Sequence, residues 1–187
     1  MTDLRETVTD VTGIRALLSE ELRHHAADLG DLLAACVNGG ASVNFVVPFD
    51  REDGEAWWRR KMLPGVEAGT AVLLAAFKGT RLVGTVALDT DTPPNQRHRG
   101  DVKKLLVHPD MRRRGIARAL MAAVEAEASR RGRWLLTLDT VTGSPAERLY
   151  AGLGWEKAGV VPDYAARALG DGQYEPATFF FKRLAID

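Results

Sequence analysis

Between Asp101 and Leu138 the chain changes its periodicity twice, and this narrows the fold more than any other stretch. Asp101-Val-Lys-Lys-Leu-Leu-Val107 reads as a strand, and Pro109 breaks it. Three arginines follow, Arg112 to Arg114, and Gly115 opens a long periodic segment that runs to Arg131. Within it Ile116, Leu120 and Val124 recur at four-residue steps, with Ala117, Met121 and Ala128 beside them, which is the apolar stripe of an amphipathic helix. Glu127 precedes Arg131 by four, the favourable order for a helical ion pair. Gly132 stops the helix, and Arg133 to Leu138 returns to a strand.

The flanking sequence extends this alternation. Ile14, Leu18, Leu22, Ala26, Leu29, Leu33 and Cys36 recur at three- and four-residue steps. They predict a helix from about Gly13 to Cys36, broken near Gly30 and ended by Asn38-Gly39-Gly40. Residues 41–49 read equally as a short strand or an ordered loop. Glu55 to Glu67 predicts a shorter helix interrupted at Pro64-Gly65. Thr70 to Phe77 and Arg81 to Leu88, joined by Lys78-Gly79-Thr80, form a hairpin. Ser144-Pro145-Ala146-Glu147 opens another helix, with Ser144 as cap, Pro145 in the first turn and Glu147 placed for a capping box. It ends near Gly152 to Gly154, and Trp155 to Val161 and Ala177 to Leu184 supply two last strands. No linker divides the 187 residues, so the order predicts one α/β (α+β) domain, 1–187: a mixed sheet with helices on both faces.

Several function classes fall away. Lys plus Arg equal Asp plus Glu at 25 each, a poor balance for binding nucleic acid or an anionic membrane. Cys36 is the single cysteine, which excludes an intrachain disulfide and a Cys-rich zinc cluster. His24, His25, His98 and His108 show no metal-protease spacing, so no metal is expected. No apolar run approaches a membrane helix, and Met1 to Glu6 lacks the order of a secretory signal; a cytoplasmic protein is expected. The nucleotide P-loop, the dinucleotide glycine fingerprint and the hydrolase elbow are all missing from the sequence.

What remains is the turn before the long helix. A helix N-terminus exposes unpaired N–H groups and carries about half a positive charge. Gly115 removes the Cβ that would hold a ligand away, and the preceding arginines add fixed charge. The stretch suits a phosphate or pyrophosphate, or else is a solvated basic turn.

Arg112-Arg-Arg-Gly115-Ile-Ala117 resembles the Q/R-x-x-G-x-G/A turn of the GNAT superfamily of acyl-CoA-dependent N-acetyltransferases. Ala146-Glu-Arg-Leu149-Tyr150-Ala-Gly-Leu-Gly154-Trp155 resembles that superfamily's A-x-x-L-Y-x-x-x-G-[FW] segment, in the right order with a strand between. Asn38 to Val43, Asp101 to Val107, Leu138 to Thr140, Gly143-Ser144 and Gly159 to Tyr164 are similar to the tabtoxin-resistance acetyltransferases and their relatives. The resemblance implies a mostly antiparallel sheet of six to seven strands and acetyl-CoA as co-substrate. Coenzyme A would be held by Arg112, Arg113, Arg114, Gly115, Ile116, Ala117 and Arg118, with Leu105, Leu106 and Val107 pairing along its pantetheine arm. The superfamily's usual Asn seven residues before the tyrosine is Gly143 here, leaving Ser144 as the neighbouring candidate.

The same resemblance casts Tyr150 as general acid to the departing thiolate, and Asp101 and Asp139 as the pair that binds the amine and takes its proton. Their nearest structural roles would be a core tyrosine and two strand-end aspartates. Asn44, Phe45, Trp57, Trp58 and Tyr164 are candidates for the acceptor pocket, while Cys36 reads as a small buried hydrophobe. The expected reaction is direct acetyl transfer to a small primary amine, with a toxin- or antibiotic-resistance role and a homodimer among its implications. A protein or peptide acceptor and a non-catalytic acyl-CoA sensor are the alternatives.

Overall fold

The computed structural model describes residues 13–185; the Met1–Glu6 stretch weighed as a leader lies outside them. Seven strands form one sheet: β1 (Gly13–Ala16), β2 (Ala71–Lys78), β3 (Arg81–Asp89), β4 (Arg99–Val107), β5 (Leu135–Val141), β6 (Glu156–Ala166) and β7 (Tyr174–Arg183). Their spatial order is β1-β2-β3-β4-β5-β7-β6. Every neighbouring pair is antiparallel except β4 with β5. The helices are α1 (Ser19–His24), α2 (Ala26–Asn38), α3 (Arg51–Trp57), α4 (Leu63–Glu67), α5 (Ile116–Arg130) and α6 (Pro145–Ala151).

β2 and β3 are apolar on both sides because both faces of the sheet are covered. Val72, Leu74, Val83, Val86 and Leu88 pack with Ile116, Leu120 and Val124 of α5. Leu73, Ala75 and Ala87 pack on the opposite side with Leu22, Leu29, Leu33 and Trp58. One face therefore belongs to α5 and α6, the other to α1 through α4. Among the described residues no helix is long and apolar enough to cross a membrane.

Two predicted helices are corrected. Gly13–Ala16 is not helical: it pairs with Leu74 to Phe77 as the sheet's edge strand, and Ile14 packs against the α5-side core. The break in the following helix falls at His25, between α1 and α2, not at Gly30. Gly30 instead sits where α2 meets α3: a Cβ there would stand 2.5 Å from the Arg51 carbonyl oxygen, and one on Gly54 would stand 2.8 Å from that of Gly30. The Pro64-Gly65 interruption becomes a π turn, Trp58–Met62, in which the Leu63 N–H reaches the Trp58 carbonyl before Pro64 enters α4. Residues 41–49 form a loop.

Candidate active site

β4 and β5 pair over only three residues, Arg99 with Leu135, Gly100 with Leu136 and Asp101 with Thr137. Beyond that point β4 runs on against β3 alone and β5 against β7 alone. The sheet is split from there to the ends of both strands. A split of this kind leaves a row of backbone groups on β4 open to an added extended ligand, and it joins the two faces of the sheet.

A bulge lies at the mouth of the split. Leu88 pairs with Val102 and Ala87 with Lys103, but the next pair is Thr85 with Leu106. Lys104 adopts a left-handed φ of 55°, and its carbonyl accepts the Thr85 hydroxyl at 3.1 Å. The extra residue lets two consecutive lysines face the α1–α4 side. Lys103 pairs with Asp89 on the surface. Lys104 is only 8% exposed. Its Nζ donates to the Val43 carbonyl at 2.8 Å and lies 4.8 Å from the Trp57 ring centre and 5.1 Å from that of Phe45. Burial, reinforced by Lys103 and opposed by Asp139, holds its pKa down to about 8.

Asp101 and Asp139 also face that side, because Leu136 and Leu138 between and beside them point into the α5 core. They stand differently. The Asp101 carboxylate accepts from the Arg99 guanidinium and the Thr137 hydroxyl, so it is braced within the sheet. Asp139 lies past the last β4–β5 pair, beside the split. Partial burial raises its pKa, Lys104 opposes the rise and Asp101 adds to it. Tyr150, 6% exposed, sits in the α5-side core between Trp155 and Phe180. Burial and then the Asp139 charge push its phenol far above the ordinary value. Tyr150 approaches from one face and Asp139 and Lys104 from the other, and the split is where their fields meet.

The turn before α5 has the expected anion-binding form. Arg113 and Gly115 take positive φ angles of 64° and 79°, and Gly115 is the residue preceding the helix. The first intrahelical bond runs from the Ala119 N–H to the Gly115 carbonyl at 3.0 Å, so the Ile116, Ala117 and Arg118 amides point out of the helix start. A Cβ on Gly115 would meet nothing within 4 Å, so the space over the turn is open. Arg112, Arg113, Arg114 and Arg118 are exposed around it, and Arg112 reaches the Val107 carbonyl at 3.3 Å. Leu105 and Val107 lean on the α5-side core and Leu106 on the other, which fixes the open edge of β4. These residues fit an extended donor that ends in a diphosphate.

Ser144 is the cap of α6: its Oγ accepts the Glu147 N–H at 3.1 Å. Glu147 reaches back to the Gly143 N–H and accepts the Thr178 hydroxyl at 2.8 Å, one residue away from the predicted box partner. Cys36 is buried, donates its thiol to the Val107 carbonyl at 3.6 Å, and burial pushes its pKa up. His108 pairs with Asp110 beside Arg81.

A cavity of about 640 Å³ opens on the α1–α4 side. Asn44, Phe45 and Phe49 of loop 39–50, and Trp57, Arg60 and Lys61 of the helical segment, line it, with Ala165 and Ala166 of β6. Of the residues expected to line an acceptor pocket, Asn44, Phe45 and Trp57 line this cavity. Trp58 does not: it is fully buried and donates to the Leu29 carbonyl at 2.9 Å. Tyr164 packs edge-on against Phe179 outside this lining. Lys104, Arg99 and Thr137 were not singled out in the sequence. The signal for Lys104 is its place between Val102 and Leu106, where strand alternation calls for an apolar residue. Among the described residues no three His, Cys, Asp or Glu side chains group to hold a metal ion.

Comparison with known proteins matches residues 40–155 to the acetyltransferase (GNAT) family. Ribosomal-protein-alanine N-acetyltransferase from Brucella melitensis is 20% identical, with a TM-score of 0.75 over 92% of this chain and 99% of that one. The yncA protein of Salmonella typhimurium, solved with its cofactor acetyl-CoA, is 19% identical, with a TM-score of 0.72 over 94% of this chain and 97% of that one. A protein assigned as a phosphinothricin N-acetyltransferase is 15% identical at a TM-score of 0.72, covering 92% and 99%.

Proposed function

Because this chain belongs to the acetyltransferase (GNAT) family and so is an N-acetyltransferase using acetyl-CoA, we propose that it acetylates the primary amine of a small molecule by direct transfer. The observation that carries this is the split between β4 and β5, with the Gly115 turn at its donor end and Asp139 and Tyr150 beside it. The Ile116, Ala117 and Arg118 amides and the neighbouring arginines would hold the diphosphate of the donor. The open edge of Leu105 to Val107 would align the arm that carries the thioester.

The bound ammonium first gives one proton through Asp139 to solvent; the amine nitrogen then bonds to the thioester carbonyl carbon, the carbon–sulfur bond breaks, and a second proton leaves nitrogen while one reaches sulfur. Asp139 is the proton acceptor, directly or through water. Its raised pKa makes it a stronger base than an exposed aspartate. Tyr150 is the proton donor. A phenol whose pKa is pushed up stays protonated through the physiological range, so it enters as an acid and not as a base. Asp101, held by Arg99 and Thr137, acts in this reading by binding the ammonium and by raising the proton affinity of Asp139. Ser144 serves the donor site by capping α6, the helix that carries Tyr150. Cys36 is buried and its thiol is held protonated above its ordinary pKa, which supports transfer without a cysteine-linked intermediate.

The tabtoxin-resistance resemblance, a resistance role and a cytoplasmic location belong to the same reading. So does a homodimer, supported by exposed Val160, Val161 and Tyr164 on the edge strand β6.

Release of free thiol from acetyl-CoA with a panel of amines tests the reaction. Tyr150→Phe should lower kcat by about 100-fold or more while coenzyme A binding is retained. Unchanged turnover would remove Tyr150 from the mechanism. Acetylation confined to peptides in the same assay would move the acceptor to protein N-termini or lysines.

A further inference from the structure

Lys104 is buried yet incompletely used. An ammonium has three donors. One goes to the Val43 carbonyl, and the Phe45 and Trp57 rings face the charge. The described residues give it no ion pair, although it lies within the field of Asp139. Lys103, one residue earlier, has Asp89, and Arg99 has Asp101. The bulge points this particular lysine toward the acceptor side, beneath two of the rings that wall the cavity. A buried cation with donors to spare, next to a carboxylate whose role is to meet an ammonium, has the polarity of a receptor for a zwitterion.

Resting on the acetyl-transfer reading above, we propose that Lys104 determines acceptor specificity by binding a carboxylate carried by the acceptor close to its reacting amine. The acceptor is then an amino acid or a similar amino-carboxylate. Its ammonium meets Asp139, its carboxylate takes the open donors of Lys104, and its side chain extends into the cavity walled by Phe45, Phe49 and Trp57. No bond is made or broken at Lys104. An amine lacking the carboxylate leaves the buried donors unfilled, which is the costlier of the two outcomes for a polar site.

The test pairs each proteinogenic L-amino acid with the amine formed by its decarboxylation, using acetyl-CoA and following thiol release. The unaltered enzyme should prefer the amino acid in every pair it accepts. Lys104→Met should lower kcat/KM for that amino acid by about 10- to 100-fold more than for its decarboxylated partner, the extra loss falling mostly on KM. Lys104→Arg should restore part of the preference. If Lys104→Met weakens both members equally, the lysine only holds loop 39–50 and the proposal fails. It fails as well if the decarboxylated amines are the better substrates of the unaltered enzyme. If no member of any pair is acetylated while coenzyme A still raises the melting temperature, small-molecule transfer itself is wrong, and this specificity falls with it.

Discussion

Burying the Lys104 ammonium works against the fold. Its pKa is depressed to about 8 from the usual 10.5, so the folded protein binds fewer protons there than the unfolded chain between those two values. Stability therefore rises with pH from about 8 to about 10.5 on this account, and below about 8 the penalty is constant. About 2.5 pKa units correspond to roughly 3 kcal/mol. Lys104→Met removes that penalty and loses the bond to Val43, worth about 1 kcal/mol. The variant should thus be more stable than the natural chain by about 1–2 kcal/mol at pH 7, and the difference should shrink as pH rises and reverse by up to about 1 kcal/mol near pH 10.5. Urea unfolding at the two pH values measures it; a less stable variant at pH 7 would mean that the ammonium holds loop 39–50 more strongly than it strains the core. This is also where reading residues from sequence reached its limit. Tyr150 and Asp139 could be named as candidates because each lies in a local pattern. Lys104 broke the alternation between Val102 and Leu106, but only the register slip against β3 shows where it points. The bracing of Asp101 by Thr137 joins residues 36 apart in the chain, and no local pattern encodes it.

Among the elements, those stabilised by their own periodicity were the easiest to read. The α5 stripe, the β2–β3 hairpin and the Ser144 cap of α6 each depend on neighbours within a few residues, and all three form as expected. β1 was misread because four residues cannot establish a period, and Ile14 happens to continue the helical spacing of Leu18 and Leu22. Gly30 was misread for a different reason. Glycine is a poor helix former, so it suggested a break; its actual role is to let the α3 backbone approach α2. The crossing fixes Trp57, and through it one wall of the cavity proposed for the acceptor, so Gly30→Ala should be felt at both levels. A methyl group 2.5 Å from the Arg51 carbonyl oxygen forces the helices apart, at a cost of about 1–3 kcal/mol. Denaturant midpoints should fall accordingly, and KM for the acceptor should rise more than KM for acetyl-CoA. Equal changes in the two constants would show that the crossing does not set the acceptor wall.

In the proposed reading the whole molecule separates donor from acceptor by the thickness of its sheet. The α5–α6 face carries the Gly115 turn and Tyr150; the α1–α4 face carries Lys104, Asp139 and the cavity. The two sets of residues lie on opposite faces and meet at the gap between β4 and β5, so they should respond to substitution largely independently. Coenzyme A that binds the folded chain alone stabilises it by about 2.7 kcal/mol at a hundred times its Kd, which a thermal melt resolves. Gly115→Ala places a Cβ in the open space over the turn and forces alanine to a φ of 79°, a strain of about 1–3 kcal/mol. That variant should melt a few degrees lower and lose most of the coenzyme-induced shift. Lys104→Met, on the far face, should keep the full shift. Loss of the shift in both variants would mean that the acceptor side also shapes the donor site and that the sheet does not partition them. Retention in both would place the diphosphate away from the α5 N-terminus and overturn the donor site assigned to it.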